Sequence, residues 1–204
     1  MQTTDAKPLT RSEKKRADIL SAASAEFQAR GFTGASMDGI SAAAGVSKRT
    51  LYNHFANKEA LFEAITDQLF QVCGGTQYQA DVALEQQLWR MAEAKLELLA
   101  EPGHIALARS LIGETMRSPE LAQRAMARFE RNEDGVTGWF KAAIEDGKLA
   151  GAEPYWMAHQ FFGLVKTFAF FPQLMAHQPM PDEATQKRII DSSVSMILAS
   201  YRVS

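Results

Sequence analysis

The chain has one cysteine among its 204 residues, few prolines and no long uninterrupted apolar stretch. Because a disulfide needs two cysteines, the lone Cys73 excludes an intramolecular disulfide framework. The most apolar stretch, residues 155–175, is interrupted by His159, Lys166 and Pro172, which argues against a membrane span. The amino terminus also lacks the apolar segment of a secretory signal peptide. We therefore expect a cytoplasmic protein in a reducing compartment, without a membrane partner.

The chain also lacks a strong overall charge, since its formal net charge is only −2. The charge is unevenly distributed, however. Residues 1–60 hold nine lysines and arginines against six acidic residues, a net +3, whereas residues 61–204 have a net −5. Any attraction to nucleic acid is therefore expected from the amino-terminal third alone.

Motifs for catalysis and metal binding are missing as well. The four histidines are scattered, no His-Glu-x-x-His spacing occurs, and neither a P-loop nor a Gly-x-Gly-x-x-Gly fingerprint is present. The sequence predicts a protein that is not an enzyme and that holds no metal and no cofactor. A reactive or redox role for Cys73 is left open, because the sequence does not show whether a base lies beside it.

Helical periodicity runs through the chain from Arg11 onward, which predicts an all-α fold. Thr10 and Glu13 have the spacing of a capping box, Gly31 is expected to end the first helix, and Asn57 to cap a later one. Beyond a glycine pair at residues 74–75, five helical stretches are predicted at residues 82–99, 105–116, 121–144, 155–175 and 184–201.

The stretch from Met37 to Phe55 predicts two short helices joined by a tight turn. Gly45 stands where a helix ends in a left-handed conformation, and Ser47 can cap the helix that follows. Met37, Ile40 and Ala44 share one face of the first helix, and Val46, Leu51 and Phe55 have the spacing of anchors for the second. Polar side chains outside and apolar anchors inside are typical of a helix-turn-helix whose second helix enters a DNA groove.

An ordered set of short motifs carries a family resemblance over residues 11–70: Gly31-Phe32, Ala44-Gly45-Val46-Ser47, Leu51-Tyr52-Asn53-His54-Phe55 and Lys58-Glu59-Ala60-Leu61. This stretch resembles the DNA-binding domain of TetR-type transcriptional regulators. Residues 114–175, including Pro119-Glu120-Leu121, resemble the carboxy-terminal domains of one subgroup. Two positions depart from the family pattern: Gly39 replaces a residue that favours helix, and Ser41 replaces an alanine where two helices approach closely.

The resemblance implies a three-helix helix-turn-helix head followed by a larger helical bundle for ligand sensing and dimerisation. The expected domains are an amino-terminal arm and DNA-binding domain over residues 1–56, a connecting helix over 57–75 and a sensing and dimerisation domain over 76–204. Residues 47–53 are expected to enter the major groove, where Lys48, Arg49 and Thr50 read the bases. Tyr52, His54 and Lys58 are expected to contact phosphates. The predicted DNA-binding residues are Thr33, Ser36, Ser47, Lys48, Arg49, Thr50, Tyr52, Asn53, His54 and Lys58. A basic arm containing Lys7 and Arg11 adds contacts or is solvated; the sequence leaves this open.

No motif locates the sensing pocket, which the resemblance places in the helices after Gly75. Large apolar side chains with a few polar groups are its expected lining: Trp89, Met91, His104, Arg109, Met116, Phe129, Trp139 and Phe161. Ordinary core packing explains the same residues. A dimer surface is expected on the last two long helices, from Phe168, Phe171, Ile190, Val194, Ile197, Leu198 and Tyr201. The alternative is that these side chains fill a single-chain core.

Two functions are consistent with the sequence. The first is a ligand-responsive, sequence-specific transcriptional regulator, most simply a repressor, acting as a homodimer on palindromic double-stranded operator DNA, with an unidentified small molecule as effector. The second is a non-enzymatic DNA-binding protein of the same fold that responds to a protein partner or is constitutively active.

Overall fold

The computed structural model describes residues 10–69, 77–101, 103–132 and 134–203, without the side chains of residues 130–134. Within these ranges the chain forms eleven helices and no strand, which confirms the predicted all-α fold. The helices are α1 (Arg11–Gly34), α2 (Met37–Ala43), α3 (Lys48–His54), α4 (Lys58–Leu69), α5 (Leu84–Ala100), α6 (His104–Arg117), α7 (Pro119–Asn132), α8 (Asp134–Glu145), α9 (Pro154–Ala169), α10 (Phe171–Ala176) and α11 (Glu183–Tyr201). Cys73, the glycine pair at residues 74–75 and the arm before Thr10 lie outside the described residues.

Local capping signals in the sequence determine where several helices begin and end. The Thr10 hydroxyl accepts the Glu13 amide and the Glu13 carboxylate accepts the Thr10 amide, which completes the predicted capping box of α1. Gly31 has φ +69°, so the regular helix is interrupted there as expected. The Asn57 side chain accepts the Ala60 amide at 2.8 Å and caps α4. The capping box of α1 and the cap at Asn57 are confirmed, whereas α1 is interrupted at Gly31 and ends at Gly34.

The chain divides into two compact units. The first contains the residues up to Gln68 and a separate segment, Ser110–Ala125, and the second contains Leu69–Arg109 and Met126–Ser204. No sequence feature indicates that residues 110–125 belong with the amino-terminal helices. The boundaries at residues 56 and 75 therefore stay a prediction.

The core of the first unit is formed by the apolar faces of its short helices. Its fully buried side chains include Ile19 and Leu20 of α1, Ile40 of α2, Leu51 of α3 and Phe62 of α4. Burying a side chain of this size stabilises a fold by about 1.5–3 kcal/mol. Each short helix is therefore held mainly by packing, because helices of seven residues are not stable alone.

The core of the second unit is a continuous apolar cluster contributed by α5, α8, α9 and α11. Trp139, Phe140 and Phe161 stack edge to face within it, with ring centroids 5.1 and 6.3 Å apart. Gln87 of α5 is one of the buried polar residues of this unit. Its amide nitrogen donates to the carbonyls of Gln79 and Val82, and its oxygen accepts the Trp139 ring N–H at 3.0 Å. The segment before α5 is thereby fastened to this core.

Candidate nucleic-acid interface

The turn between α2 and α3 has the geometry that its sequence predicts. Gly45 adopts φ +63°, a left-handed conformation that disfavours side chains with a Cβ atom. The Ser47 hydroxyl accepts the Thr50 amide at 3.1 Å and caps α3. At the other end of the motif the Ser36 hydroxyl accepts the Gly39 amide at 3.0 Å and caps α2. The two helices are therefore started and stopped by side-chain and glycine signals close to them in the sequence.

Apolar anchors fix which face of α3 points outward. Leu51 is fully buried and Phe55 is 4% exposed, while Ile40 of α2 is fully buried within the same core. Arg16 of α1 lies over the Phe55 ring at 5.1 Å. With its back face held in this way, α3 cannot rotate about its axis without exposing apolar surface.

The outward face of α3 is polar and accessible. The exposed positions are Lys48, Arg49, Tyr52 and Asn53, with Thr50 and His54 half-buried. This set contains hydrogen-bond donors that match the acceptor-rich edges of bases and phosphates. The first unit thus presents a capped, rotationally fixed helix with a cationic polar face, the arrangement of a DNA recognition helix.

Lys48 is paired with a carboxylate of the neighbouring helix. Its ammonium lies 2.7 Å from the Asp38 carboxylate of α2, and both side chains are largely exposed. The hydrogen bond from Lys48 to Asp38 and the attraction between their charges raise the pKa of Lys48 above its ordinary value. An exposed pair of this kind is readily exchanged for a phosphate or a base edge.

Lys58 occupies a different environment from the one expected of a phosphate ligand. Its ammonium donates to the carbonyls of Phe32 at 2.8 Å, Thr33 at 3.3 Å and Ala35 at 2.8 Å. It also lies 5.0 Å from the centre of the Phe32 ring. The sequence did not indicate this role, because the acceptors are distant from Lys58 along the chain. The predicted phosphate contact of Lys58 stays a prediction.

A buried carboxylate contacts the same segment. Glu114 of α6 accepts the Phe32 amide at 2.8 Å through Oε2, and its Oε1 accepts from Arg117 at 2.8 Å. Glu114 is only 7% exposed. A Cβ atom at Gly31 would lie 3.3 Å from Glu114 Oε1, in a position where φ is already left-handed. Glycine at position 31 therefore serves both the turn and the close approach of this carboxylate.

The two departures from the family pattern have structural explanations. A Cβ atom at Gly39 would lie 2.7 Å from Oε1 of Glu26, so glycine makes room for this carboxylate, which pairs with Arg30. Ser41 is 4% exposed and donates to the Asp38 carbonyl at 2.9 Å. The serine hydroxyl therefore has a partner in the tight space between α2 and its neighbours.

Comparison with known proteins identifies the family. Residues 19–65 match the family model of bacterial regulatory proteins of the tetR family, and residues 86–203 match that of the AefR-like transcriptional repressor, C-terminal domain. The chain belongs to the TetR family. Its all-helical fold, with a helix-turn-helix head, is the one its structural neighbours share. TetR-type regulators act by binding DNA rather than by catalysis, in agreement with the absence of catalytic motifs from the sequence.

Individual relatives extend over most of this TetR-family chain. UidR, an HTH-type transcriptional regulator of Escherichia coli (strain K12), is 34% identical over 143 residues, which cover 70% of each chain. A TetR family transcriptional regulator from Pseudomonas syringae pv. tomato str. DC3000 is 39% identical and has a TM-score of 0.84, with 96% of this chain and 100% of that chain covered. The flavonoid-responsive regulator FrrA is 26% identical with a TM-score of 0.73, covering 93% and 97% of the two chains.

The residues expected to line a sensing pocket are distributed over several environments. Met91, Trp139 and Phe161 are buried in the core of the second unit. Arg109 donates to the carbonyls of Gln173 and Leu174 at the end of α10. Trp89 donates its ring N–H to Asp191, and the ring of Phe129 lies against His159. His104 is buried. Met116 is 83% exposed and belongs to the first unit. A pocket formed by these residues stays a prediction.

The residues expected at the dimer surface divide into two groups. Ile190, Val194, Ile197 and Leu198 of α11 are at most 8% exposed and pack into the protomer's own core, with Tyr201 against it. They leave little surface for a partner, because their side chains are already buried in the cluster that α5 and α9 share. Phe168 and Phe171, by contrast, are 58% and 44% exposed. The outward stripe of α11, which the sequence-based prediction missed, is formed by Ser192, Ser195, Met196 and Ala199.

No helix in the described ranges combines the length and the apolar character that crossing a bilayer requires.

Proposed function

We propose that this TetR-family chain is a ligand-responsive repressor that acts as a homodimer on a palindromic operator in the cytoplasm. The observation that carries the proposal is the recognition helix α3, capped at Ser47 and anchored by Leu51 and Phe55, with its cationic polar face exposed. An exposed face of this composition on a rigid support is suited to the major groove.

The proposed contacts follow the position of each side chain along α3. Lys48, Arg49 and Thr50 lie in its first turn and are assigned to base edges, where an arginine can bind guanine through two hydrogen bonds. Tyr52 and His54 lie towards its end and are assigned to phosphates. The remaining proposed contacts are Thr33, Ser36, Ser47 and Asn53. Lys48 would exchange Asp38 for DNA as the complex forms.

A dimer is proposed on physical grounds and from the exposed surface of the second unit. One recognition helix makes too few contacts for specificity in a genome, so two half-sites are needed. Trp156 and Phe168 of α9 are each 58% exposed, and Met196 of α11 is 53% exposed. The small residues beside Met196 allow another helix to approach closely. These exposed side chains are more available to a partner than the four aliphatic side chains buried in the core.

An effector is proposed to bind within the second unit. The family model that covers residues 86–203, and the flavonoid-responsive regulator FrrA as a relative of similar fold, support this assignment. The effector would prefer one of two states of the dimer, in which the two α3 helices differ in separation. Bound effector would then weaken binding to an operator whose half-site spacing fits the other state.

Selection of bound DNA from a random pool tests the proposal directly. We expect an enriched palindrome whose half-sites are about one or two helical turns apart. The variant Arg49→Ala should bind the selected sequence about 1–3 kcal/mol more weakly at fixed salt, with relaxed specificity at one position of each half-site. The matched control is Arg90→Ala, which removes an exposed arginine from α5 in the second unit. Equal affinity of the Arg49→Ala variant and the unmodified protein would contradict the assignment of α3.

A compound library separates effector control from the other forms of control. An effector should raise the melting temperature of the protein and release it from the selected operator, because ligand that binds only the folded state stabilises it. Compounds that stabilise the protein without releasing DNA would instead favour control by a protein partner, or constitutive binding.

A further inference from the structure

We propose that Lys58 and Glu114 are positioning residues for the recognition helix. Together they hold the backbone segment of residues 31–35, which runs from the interruption of α1 at Gly31 to the residue before the cap of α2. Lys58 would then support DNA binding from inside the protein rather than through a phosphate. This inference rests on the proposed function, because it concerns how α3 is presented to DNA.

The hydrogen bonds of Lys58 leave its ammonium without a free donor. A lysine ammonium has three N–H donors, and here three carbonyl oxygens accept from it, two at 2.8 Å and one at 3.3 Å. The Phe32 ring adds a cation–π contact at 5.0 Å. A phosphate contact would require at least one of these carbonyls to lose its partner. The geometry therefore favours a lysine whose ammonium is fully hydrogen-bonded within the protein.

Glu114 holds the same segment through an amide instead of carbonyls. Its Oε2 accepts the Phe32 N–H at 2.8 Å, while Arg117 bonds to its Oε1. Phe32 therefore has its carbonyl bonded to a cation and its amide bonded to an anion. Hydrogen bonds that involve a charged group are stronger than those between neutral groups, and Glu114 is largely shielded from water.

The segment needs such support because its first and last residues, Gly31 and Ala35, have non-helical backbone angles. Gly31 has φ +69°, and Ser36 must reach the extended conformation of a helix cap a few residues later. The direction in which α2 leaves this segment sets the direction of α3, since the two are joined by the short turn at Gly45. A segment that fluctuates would present α3 in several orientations, and DNA binding would have to select one of them.

A comparison of salt dependence distinguishes the two roles of Lys58. The variant Lys58→Met keeps most of the aliphatic chain and removes the ammonium. The matched control is Lys48→Met, because Lys48 lies on the exposed face of α3 and its charge is proposed to reach the DNA, so its loss should lower the salt slope. We expect Lys58→Met to weaken operator binding about tenfold or more at every salt concentration, with the slope of log affinity against log salt unchanged. Loss of one lysine contact to a DNA phosphate would instead make this slope shallower by about 0.9. A reduction of that size in Lys58→Met, or undiminished affinity, would overturn the proposal.

Glu114 provides a test that does not depend on Lys58. Glu114→Gln keeps an oxygen that can accept the Phe32 amide, whereas Glu114→Ala removes it. We expect Glu114→Ala to bind operator about tenfold more weakly at all salt concentrations and Glu114→Gln to recover most of this loss. Equal defects in the two variants, or none in Glu114→Ala, would contradict a positioning role for this carboxylate.

Hydrogen exchange of the DNA-free protein tests the same idea without an operator. The amides of Gly39 and Ile40, which bond to Ser36 at the start of α2, should exchange at least about tenfold faster in both Lys58→Met and Glu114→Ala. The amide of Leu88 in α5 should be unaffected. Unchanged protection at α2 would refute the proposal even in a protein that binds DNA. If the unmodified protein bound no DNA, the proposed function would fail, while this exchange result would still decide the role of the two residues.

Discussion

His104 should make the stability of this protein depend on pH in a range where carboxylates remain charged. It is 8% exposed and lies at the first turn of α6. Burial, with a smaller contribution from the charge of Lys95, lowers the pKa of His104 from 6.5 to about 4. Because the unfolded chain binds a proton near pH 6.5 and the folded chain does not until about pH 4, stability should be lost as the pH falls through this window.

The size of the effect follows from the two pKa values. At pH 5 the unfolded chain is almost fully protonated at this histidine and the folded chain is almost fully neutral, so the free energy of unfolding falls by about 2 kcal/mol relative to about pH 7.5. For a chain of this length that corresponds to about 4–8 °C in melting temperature. A positive charge at the first turn of a helix would also oppose the helix dipole, in the same direction.

Thermal melts at about pH 7.5 and about pH 5 check this prediction. The variant His104→Gln lacks the titrating group. Between the two pH values its melting temperature should therefore fall by about 4–8 °C less than that of the unmodified protein. His177→Asn, at an exposed position with a left-handed backbone, controls for the loss of a histidine as such. Equal falls in the melting temperatures of the unmodified protein and His104→Gln would show that burial of His104 does not cause the loss of stability at low pH.

Three further substitutions test separate parts of the structure. Gln87→Leu should destabilise the protein by about 1–3 kcal/mol in denaturant melts, because the buried Trp139 N–H loses its acceptor, and adding Trp139→Phe should recover part of the loss. Gly39→Ala should raise the stability of the unmodified protein little or not at all, because its Cβ would meet the Glu26 carboxylate. In a Glu26→Ala background the same substitution should stabilise the protein by about 1 kcal/mol. Equal effects in both backgrounds would contradict the clash. Met196→Glu should convert the proposed dimer to monomer in sedimentation experiments, and an unchanged dimer mass would place the interface elsewhere.

The features that the sequence predicted correctly are local ones. The box of Thr10 and Glu13, the glycine at position 45 and the caps at Ser47 and Asn57 each involve groups within a few residues of one another. Their geometry follows from backbone preferences and side-chain length, without knowledge of the rest of the fold. The location of the helix-turn-helix could therefore be predicted from the sequence.

The features that the sequence did not predict depend on contacts between distant residues. Glu114 meets Phe32 across 82 positions, and nothing in the sequence around either residue indicates the other. Helix α11 shows a related difficulty, since it carries two stripes at helical spacing. The sequence favours the aliphatic stripe as a partner surface, but burial in the protomer's own core is more favourable for large side chains, which leaves the smaller residues and Met196 outside. Periodicity likewise predicts one stretch over residues 155–175, whereas the structure has two helices there, α9 and α10.

The first unit is discontinuous in sequence, and this limits how its parts can be exchanged between relatives. A fragment that ends at Gln68 would lack Glu114 and Arg124, so Phe32 and Glu63 would lose bonding partners that the intact chain provides. A chimera made by joining one regulator's residues up to Gln68 to another's remainder would inherit a mismatched α6 and α7. Transfer of operator specificity between relatives should therefore succeed best when residues 110–125 are exchanged together with the amino-terminal helices.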